Sequence, residues 1–195
     1  RQRLVENLQT HPRRPLSSLV RARQGRSMPP SEAPGARPVI GASAMLGRID
    51  TWTSSDGILV GEHDVVLLDA GSNAGRSATG LEGLAGQTVR VLTPTPEIDP
   101  GYLQAHLAAD EPLLRHLSRR SGQPRLPSQI LDIHHVAVPP LGEQRRVAAL
   151  LADMTAEINA LAQTRKRLAT QHASVRARLL AVCDQVPLTD LETAA

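Results

Sequence analysis

The stretch that decides the fold runs from residue 133 to residue 147 and reads IHHVAVPPLGEQRRV. The apolar run that opens it is typical of a buried strand, and Pro139 and Pro140 end that strand because proline cannot donate a ladder hydrogen bond. From Glu143 onward a long region follows without glycine or proline. The stretch therefore predicts a junction between a strand and a long helix.

The helix carries an apolar residue at every seventh position, as a coiled coil does. The first seam position is occupied by Val147, Met154, Leu161, Leu168, Val175 and Val182, and the second by Leu151, Ile158 and Leu179. A solitary helix would expose this stripe to water, so the pattern predicts a partner helix, within the chain or from a neighbour. Arg165 and His172 interrupt the second seam position. They lie either at the edge of the interface or within it, where polar residues select register and partner.

The residues before the junction are predicted to form a compact α+β domain with a mixed, largely antiparallel sheet. Short apolar runs broken by glycine predict strands near residues 39–41, 46–49, 58–60, 65–69 and 89–92. Helical spacing of apolar residues predicts a turn or two over 16–23 and a helix over 101–117. The predicted divisions are an N-terminal helix or linker over 1–15, the domain over 16–140, the coiled-coil helix over 141–184 and a tail over 185–195.

The composition limits both the core and the mechanism. The chain has 195 residues with one tryptophan, one tyrosine and no phenylalanine, so aliphatic side chains must fill the core. Aromatic base stacking is therefore not expected as a binding mechanism. Cys183 is the only cysteine, which excludes an internal disulfide and favours a reducing compartment, the cytoplasm. No stretch approaches the ~20 apolar residues of a membrane span, so no membrane association is expected.

The net charge of +3 hides a strong division along the chain. Residues 1–37 carry a net charge of +6, residues 38–113 a net of −7 and residues 114–195 a net of +4. All but one of the 22 basic residues are arginine, whose guanidinium can bind phosphate or the edge of guanine through two hydrogen bonds. A coding bias explains the choice of arginine over lysine equally well, but it does not explain the clustering. The clusters predict a polyanionic partner.

A glycine-rich turn from Gly71 to Ser77 follows the apolar run at residues 65–68. A Walker loop needs four residues between its glycines and then lysine, whereas this turn has three and then arginine, which argues against nucleotide hydrolysis. Two interpretations remain open. The segment is an ordinary tight turn, or it presents Ser72, Asn73 and Arg76 to phosphate.

The basic loop over residues 115–125 also has two interpretations. It is either a solvated loop or a DNA contact. Its arginines alternate with small or amide side chains that can reach base edges while the guanidinium groups neutralise phosphate. A further basic group precedes the flexible loop that begins near residue 24. The predicted DNA-binding residues are Arg21, Arg23, Arg26, Ser72, Asn73, Arg76, Arg119, Arg120, Gln123 and Arg125.

Candidate catalytic and metal-binding residues are few. His134 and His135 are adjacent on a predicted strand, so they point to opposite faces and cannot ligate one metal together. We interpret them as structural. Asp64 and Asp69 resemble a nuclease carboxylate pair, but the lysine that such a site needs is absent nearby, since Lys166 is the only lysine. We therefore predict no catalytic residue and no metal ligand.

Several segments, taken in order, resemble the specificity (S) subunit of type I restriction–modification systems. They are similar to the opening, central "G-S-x-x-G" and late "SG" segments of its target recognition domain and to the PPLxEQ signature before its conserved helix. The residues that carry the resemblance are Leu16–Gly25, Val60–Leu67, Gly71–Gly75, Ser121–Leu126, Ile130, Val136–Gln144 and Val147.

The resemblance implies a non-catalytic protein that reads double-stranded DNA and docks a methyltransferase (M) subunit through the helix. Such S subunits carry two recognition domains and two helices, so this chain is expected to be half a subunit. It would either form a homodimer through antiparallel helices or be the C-terminal recognition region of a larger methyltransferase. N6-adenine methylation would use S-adenosylmethionine on the methyltransferase, so no cofactor is expected here. The alternative is a structural or regulatory coiled-coil protein whose head binds protein, and a small hydrolase or nuclease has the least support.

Overall fold

The computed structural model describes residues 11–119 and 122–183, with side chains described as far as residue 178. The chain divides into two compact units, Arg1–Ala149 and Leu150–Ala195. We call the described part of the first unit the head and that of the second the distal helix. Three predictions lie outside the described residues: the helix at the N-terminus, the DNA contact at Arg120 and the tail over 185–195. So do the side chains of Leu179 and Val182.

The head is built from short strands and helices. The strands are β1 (Arg13–Pro15), β2 (Val20–Gln24), β3 (Arg37–Ile40), β4 (Trp52–Thr53), β5 (Leu59–Val60), β6 (Val65–Leu68), β7 (Ser77–Ala78), β8 (Gly83–Ala85), β9 (Val89–Pro94) and β10 (His135–Ala137). The helices are α1 (Pro100–Ala109), α2 (Glu111–Ser118), α3 (Ile130–Ile133) and α4 (Leu141–Cys183), of which α4 begins in the head and continues as the distal helix.

Two four-stranded sheets and one two-stranded sheet make up the β structure of the head. Their strand orders are β2-β9-β6-β7, β4-β3-β8-β5 and β1-β10. Among the described strands, β3 and β8 pair in parallel and the other paired strands are antiparallel. The predicted fold class, a mixed and largely antiparallel β domain followed by a long helix, is confirmed.

The sheet β2-β9-β6-β7 is covered on both faces, so the head has two cores. On one face Val65, Leu67 and Leu92 pack with leucines of α1 and α2. On the other face Val66 and Leu68 pack with residues of the second sheet. Every residue of β6 is therefore buried. This burial explains why β6 reads as a continuous apolar run rather than an alternating one.

The start of α4 is held to the head by one buried amide. Gln144 is 0% exposed, and its Nε2 donates to the carbonyl oxygens of Pro139 at 2.8 Å and Glu97 at 2.9 Å. Its Oε1 accepts from the backbone N–H of Asp99 at 2.8 Å. Because both ends of the amide are bonded, its burial is tolerated. The glutamine of the PPLxEQ signature thus ties α4 to the segment that leads into α1.

Several predicted elements are confirmed and several are wrong. The strands predicted near residues 39–41, 58–60, 65–69 and 89–92 correspond to β3, β5, β6 and β9. The strand predicted at 46–49 is instead a 3-10 turn, Ala44–Leu46, that Gly47 ends with a φ of 79°. The helical turns predicted over 16–23 are a 3-10 turn, Leu16–Ser18, followed by β2, which pairs with β9.

The helix predicted over 101–117 is two helices. The break falls at Asp110, and Pro112 in the first turn of α2 cannot continue the preceding helix because it has no N–H to donate. In the same way, the strand predicted across His134 starts only at His135, because α3 occupies the residues before it.

The domain boundaries also shift. Arg13–Pro15 were assigned to a linker, but β1 pairs with β10 and belongs to the head. Val147 was predicted to lie on the coiled-coil seam, but it is 6% exposed and packs in the first core of the head. The first two turns of α4 pack in the head. The side chain at this seam position is therefore buried by the head and not by a partner helix.

The distal helix leaves its apolar seam uncovered. Ile158, Leu161, Leu168 and Val175 are between 55% and 63% exposed, Leu151 is 38% exposed, and Met154 is half-buried. Within the described residues, no helix combines the length and apolarity that crossing a membrane requires.

Candidate nucleic-acid interface

The glycine-rich turn and the basic loop meet at one edge of the head, through residues that lie 53 to 57 positions apart in sequence. The backbone N–H of Gly71 donates to the carbonyl of Pro124 at 2.9 Å, and Ala70 pairs with Arg125 in an isolated bridge. The N–H of Leu126 donates to the carbonyl of Asp69 at 2.8 Å. The turn and the loop are therefore held as one backbone-bonded unit.

The turn also rests directly on α2. Gly75 has a φ of 94°, and a Cβ at this position would lie 2.8 Å from the Cβ of Leu114. Only glycine combines this backbone conformation with such close packing. Arg119 caps the C-terminal end of α2, and the carbonyl of the preceding Ser118 accepts a backbone hydrogen bond of 2.9 Å from Arg125, so Arg119 lies beside the basic loop.

Six of the predicted DNA-binding residues share this edge, which we call the polar loop surface. They are Ser72, Asn73, Arg76, Arg119, Gln123 and Arg125. Asn73 and Arg76 are half-buried, and the other four are exposed. Their role in DNA binding stays a prediction.

A buried carboxylate positions the arginines beneath and within this surface. Asp69, whose side chain is 3% exposed, lies 2.7 Å from Arg90 and accepts a hydrogen bond of 3.2 Å from Arg125. Arg90 is nearly buried, whereas the Arg125 side chain is 61% exposed. Two guanidinium groups share one carboxylate, so a net positive charge remains and is presented at Arg125.

Arg23 lies in a different environment. It donates to Oδ2 of Asp64 at 3.2 Å and to the hydroxyl of Thr93 at 3.1 Å. Asp64 and Asp69 flank β6 five residues apart, so they fall on opposite faces of the sheet. They do not form a carboxylate pair, which removes the observation that favoured a nuclease.

The other basic residues predicted near β2 do not join the polar loop surface. Arg21 is exposed and lies on the same face of β2 as Arg23, by the alternation of the strand. Arg26 donates to the carbonyl of Asp56 and bridges to Gly86 beside the second sheet. The nine predicted residues that the structure describes therefore belong to more than one part of the head.

Sequence reasoning missed Arg90 and the role of Asp69. Arg90 interrupts a run of valines and leucines on β9, and an arginine within an otherwise buried strand indicates a buried carboxylate partner. The sequence therefore indicates that Arg90 has a carboxylate partner. It does not identify Asp69 as that partner, because this depends on the pairing of β6 with β9.

No protein-family model matches the chain. Over 97 residues it is 34% identical to the specificity subunit of type I restriction enzyme MjaVIII from Methanocaldococcus jannaschii. The match covers 49% of this chain and 23% of that subunit.

Solved structures share the fold. The HsdS subunit from Thermoanaerobacter tengcongensis has a TM-score of 0.64 at 19% identity, over 84% of this chain and 46% of that chain. The type I restriction–modification S subunit from M. genitalium has a TM-score of 0.64 at 18% identity, over 91% and 46% of the two chains. A chain from a structural study of assembly and conformational transition in the type I R-M system gives 0.68 at 21% identity, over 93% and 50%.

The chain thus spans about half the length of the solved chains and 23% of the curated relative. The resemblance inferred from the sequence is confirmed, because a partial sequence match and the fold point to the same class of protein.

Proposed function

Since this chain shares the fold of type I specificity subunits and is similar in sequence to part of one, we propose that it is a sequence-specific DNA-recognition module of a restriction–modification system. The observation that carries the proposal is the polar loop surface, in which cationic and amide side chains are presented on a backbone held rigid by hydrogen bonds. Double-stranded DNA fits this combination because guanidinium groups bind phosphate and amides distinguish base edges.

The charges indicate which residues contact the DNA. Arg125 is anchored to Asp69 yet mostly exposed, and its charge is not neutralised because Arg90 already balances that carboxylate. A guanidinium oriented in advance loses little side-chain entropy on binding. The charge of Arg23, by contrast, is neutralised by Asp64. We therefore assign to Arg23 a structural role, in which it ties β2 to the start of β6.

Amide and hydroxyl groups on the same surface supply the means to read sequence. Asn73 and Gln123 can each form two hydrogen bonds with adenine in the major groove, and Ser72 can bond either a base or a phosphate. These three residues lie on the turn and the loop that the hydrogen bond between Gly71 and Pro124 joins. A change in that backbone contact would move all three together.

In this proposal the chain is not an enzyme. It directs a methyltransferase or endonuclease to its target in the cytoplasm, and S-adenosylmethionine binds to the partner or to a fused methyltransferase that performs N6-adenine methylation. The chain itself binds no cofactor for this reaction.

The distal helix supplies the assembly surface. Its large apolar side chains recur with a seven-residue period and are mostly exposed, which is the pattern of a helix that packs on another helix. We assign this face to a methyltransferase subunit or to the helix of a second copy.

One observation favours the alternative of a head that binds protein. Four large apolar side chains, Leu46, Ile49, Trp52 and Leu59, are between 45% and 56% exposed on the second sheet and the loop that leads into it. Exposed apolar groups are common at protein interfaces. Salt dependence separates the two functions, because a head that releases counterions from phosphate loses affinity steeply as salt rises.

The test is a binding selection on the full chain, alone and with a methyltransferase, followed by titrations at several salt concentrations. Replacing Arg119, Arg120 and Arg125 by alanine should weaken binding to all sequences. If all three contact phosphate, the slope of log K against log [salt] should fall by about 2.7.

The matched control removes the same charge from the distal helix by replacing Arg167, Arg176 and Arg178, which are exposed there and lie outside the two seam positions. It should leave DNA affinity nearly unchanged. No sequence preference in the selection, or equal losses in the two triple variants, would contradict the proposal.

A further inference from the structure

Three potential metal ligands from different elements converge inside the head. His106 lies on α1, Asp110 joins α1 to α2, and His134 follows α3. Their ligand atoms all lie within 4.8 Å of one another. The prediction that no residue binds metal considered only His134 with its neighbour His135, whereas the structure supplies ligands that are up to 28 residues apart in sequence.

The distances agree with metal coordination better than with hydrogen bonds. Nδ1 of His106 lies 3.3 Å from Oδ2 of Asp110, and Nε2 of His134 lies 3.4 Å from the same oxygen. Neither ring nitrogen has a hydrogen-bond partner, although both are buried. Ligands at ~2.0–2.1 Å from a tetrahedral zinc ion are separated by roughly 3.4 Å, which matches both contacts.

Burial makes a cluster of polar atoms without hydrogen bonds costly. The His134 side chain is 6% exposed and that of His106 is 17% exposed, and a buried polar atom without a partner destabilises the folded state. Burial also lowers the pKa of both imidazoles, against the opposing effect of Asp110. Both shifts favour the neutral ring, which offers a lone pair to a metal.

We propose that His106, Asp110 and His134 form a structural site for a divalent transition metal, with zinc as the preferred ion. Two imidazoles and one carboxylate are a ligand set that zinc accepts, and water completes the tetrahedron. Asp110 is 32% exposed and provides the route of entry. The guanidinium of Arg13 adds a nearby positive charge that the carboxylate offsets.

Such an ion would join three segments that otherwise meet through side-chain packing. It would tie α1 and the start of α2 to the residue before β10, close to the hydrogen bond of 2.9 Å from the Tyr102 hydroxyl to the Ala137 carbonyl. The metal would therefore stabilise the part of the head that leads into the junction with α4. This role is independent of DNA binding.

The test is zinc titration of the metal-free full chain by calorimetry, with thermal unfolding measured with and without zinc. We expect one zinc per chain. At free zinc 100 times Kd, the folding equilibrium constant should rise about 100-fold. His134→Ala and His106→Ala should abolish this binding, whereas His116→Ala and His135→Ala, which change exposed histidines, should retain it.

Cobalt(II) supplies a readout that does not depend on the folding of a variant. The cobalt form of the full chain and of Cys183→Ser should show the same tetrahedral spectrum without a thiolate charge-transfer band. A chain that binds no zinc, binding unaffected by His106→Ala and His134→Ala, or an octahedral cobalt spectrum would overturn the proposal.

Discussion

The head and the distal helix distribute polar and apolar side chains in opposite ways. In the head, the polar Gln144 is 0% exposed and bonded to backbone at both ends of its amide. In the distal helix, the apolar Leu161 is 63% exposed. A buried amide with all its hydrogen bonds indicates a specific contact within the chain. An exposed leucine on an apolar stripe indicates a contact with a partner. The contrast shows that the head completes its own core, whereas the distal helix does not.

The largest expected effect comes from breaking the exposed seam. Leu161→Arg should abolish self-association or docking of the methyltransferase, because a charge would be buried without a partner at the interface. The stability of the head should change by less than about 0.5 kcal/mol. Sedimentation of the full chain, alone and with a methyltransferase, measures the association. Gln163→Arg, on the same helix, is the control, and unchanged mass together with intact partner binding would count against the coiled-coil role.

Removing the buried amide should be the next largest effect. Gln144→Ala leaves one backbone N–H and two carbonyls without their partner, and it creates a cavity at the junction. We expect a loss of about 3 kcal/mol in the free energy of unfolding, measured by chemical denaturation. Gln163→Ala, at an exposed position, should change it by less than about 0.5 kcal/mol. Equal effects at the two positions would show that the junction does not depend on this residue.

The smallest expected effect comes from comparing two valines at equivalent heptad positions, one in the head and one in the distal helix. Val147 and Val175 share the first seam position, but they are 6% and 55% exposed. Val147→Ala should lower the free energy of unfolding by about 2 kcal/mol, because two buried methylene equivalents are lost and a small cavity remains. Val175→Ala should leave the stability of the head unchanged and act only on association. Urea denaturation and sedimentation of both variants separate the two roles.

Elements with a strong local pattern were predictable. β6 reads as an unbroken apolar run and α4 follows two prolines, so neither prediction needed information from distant residues. The prediction of helix over residues 16–23 was wrong because the helical spacing of Leu16, Leu19 and Val20 is too short a pattern to decide the structure. The strand conformation of Val20–Gln24 comes from pairing with β9, about 70 residues away.

The candidate site was predictable only in outline. Glycine, serine and arginine on two loops indicated an anion-binding surface, but which arginines share it depends on how the turn meets the loop. Arg23 and Arg125 look alike in sequence. Arg23 pairs with Asp64, whereas Arg125 shares Asp69 with Arg90, so only the charge of Arg23 is balanced by a carboxylate.

The amino-acid sequence by itself determined the junction, the buried strand and the seven-residue period of the long helix, because each follows from periodicity and proline over a short stretch. Only the tertiary structure decided that Val147 belongs to the head, that Arg125 presents an unbalanced charge, and that His106, Asp110 and His134 converge. These outcomes depend on contacts between residues far apart in the chain. The side chains that meet are set by the pairing and packing of the strands and helices that carry them, which no local pattern specifies.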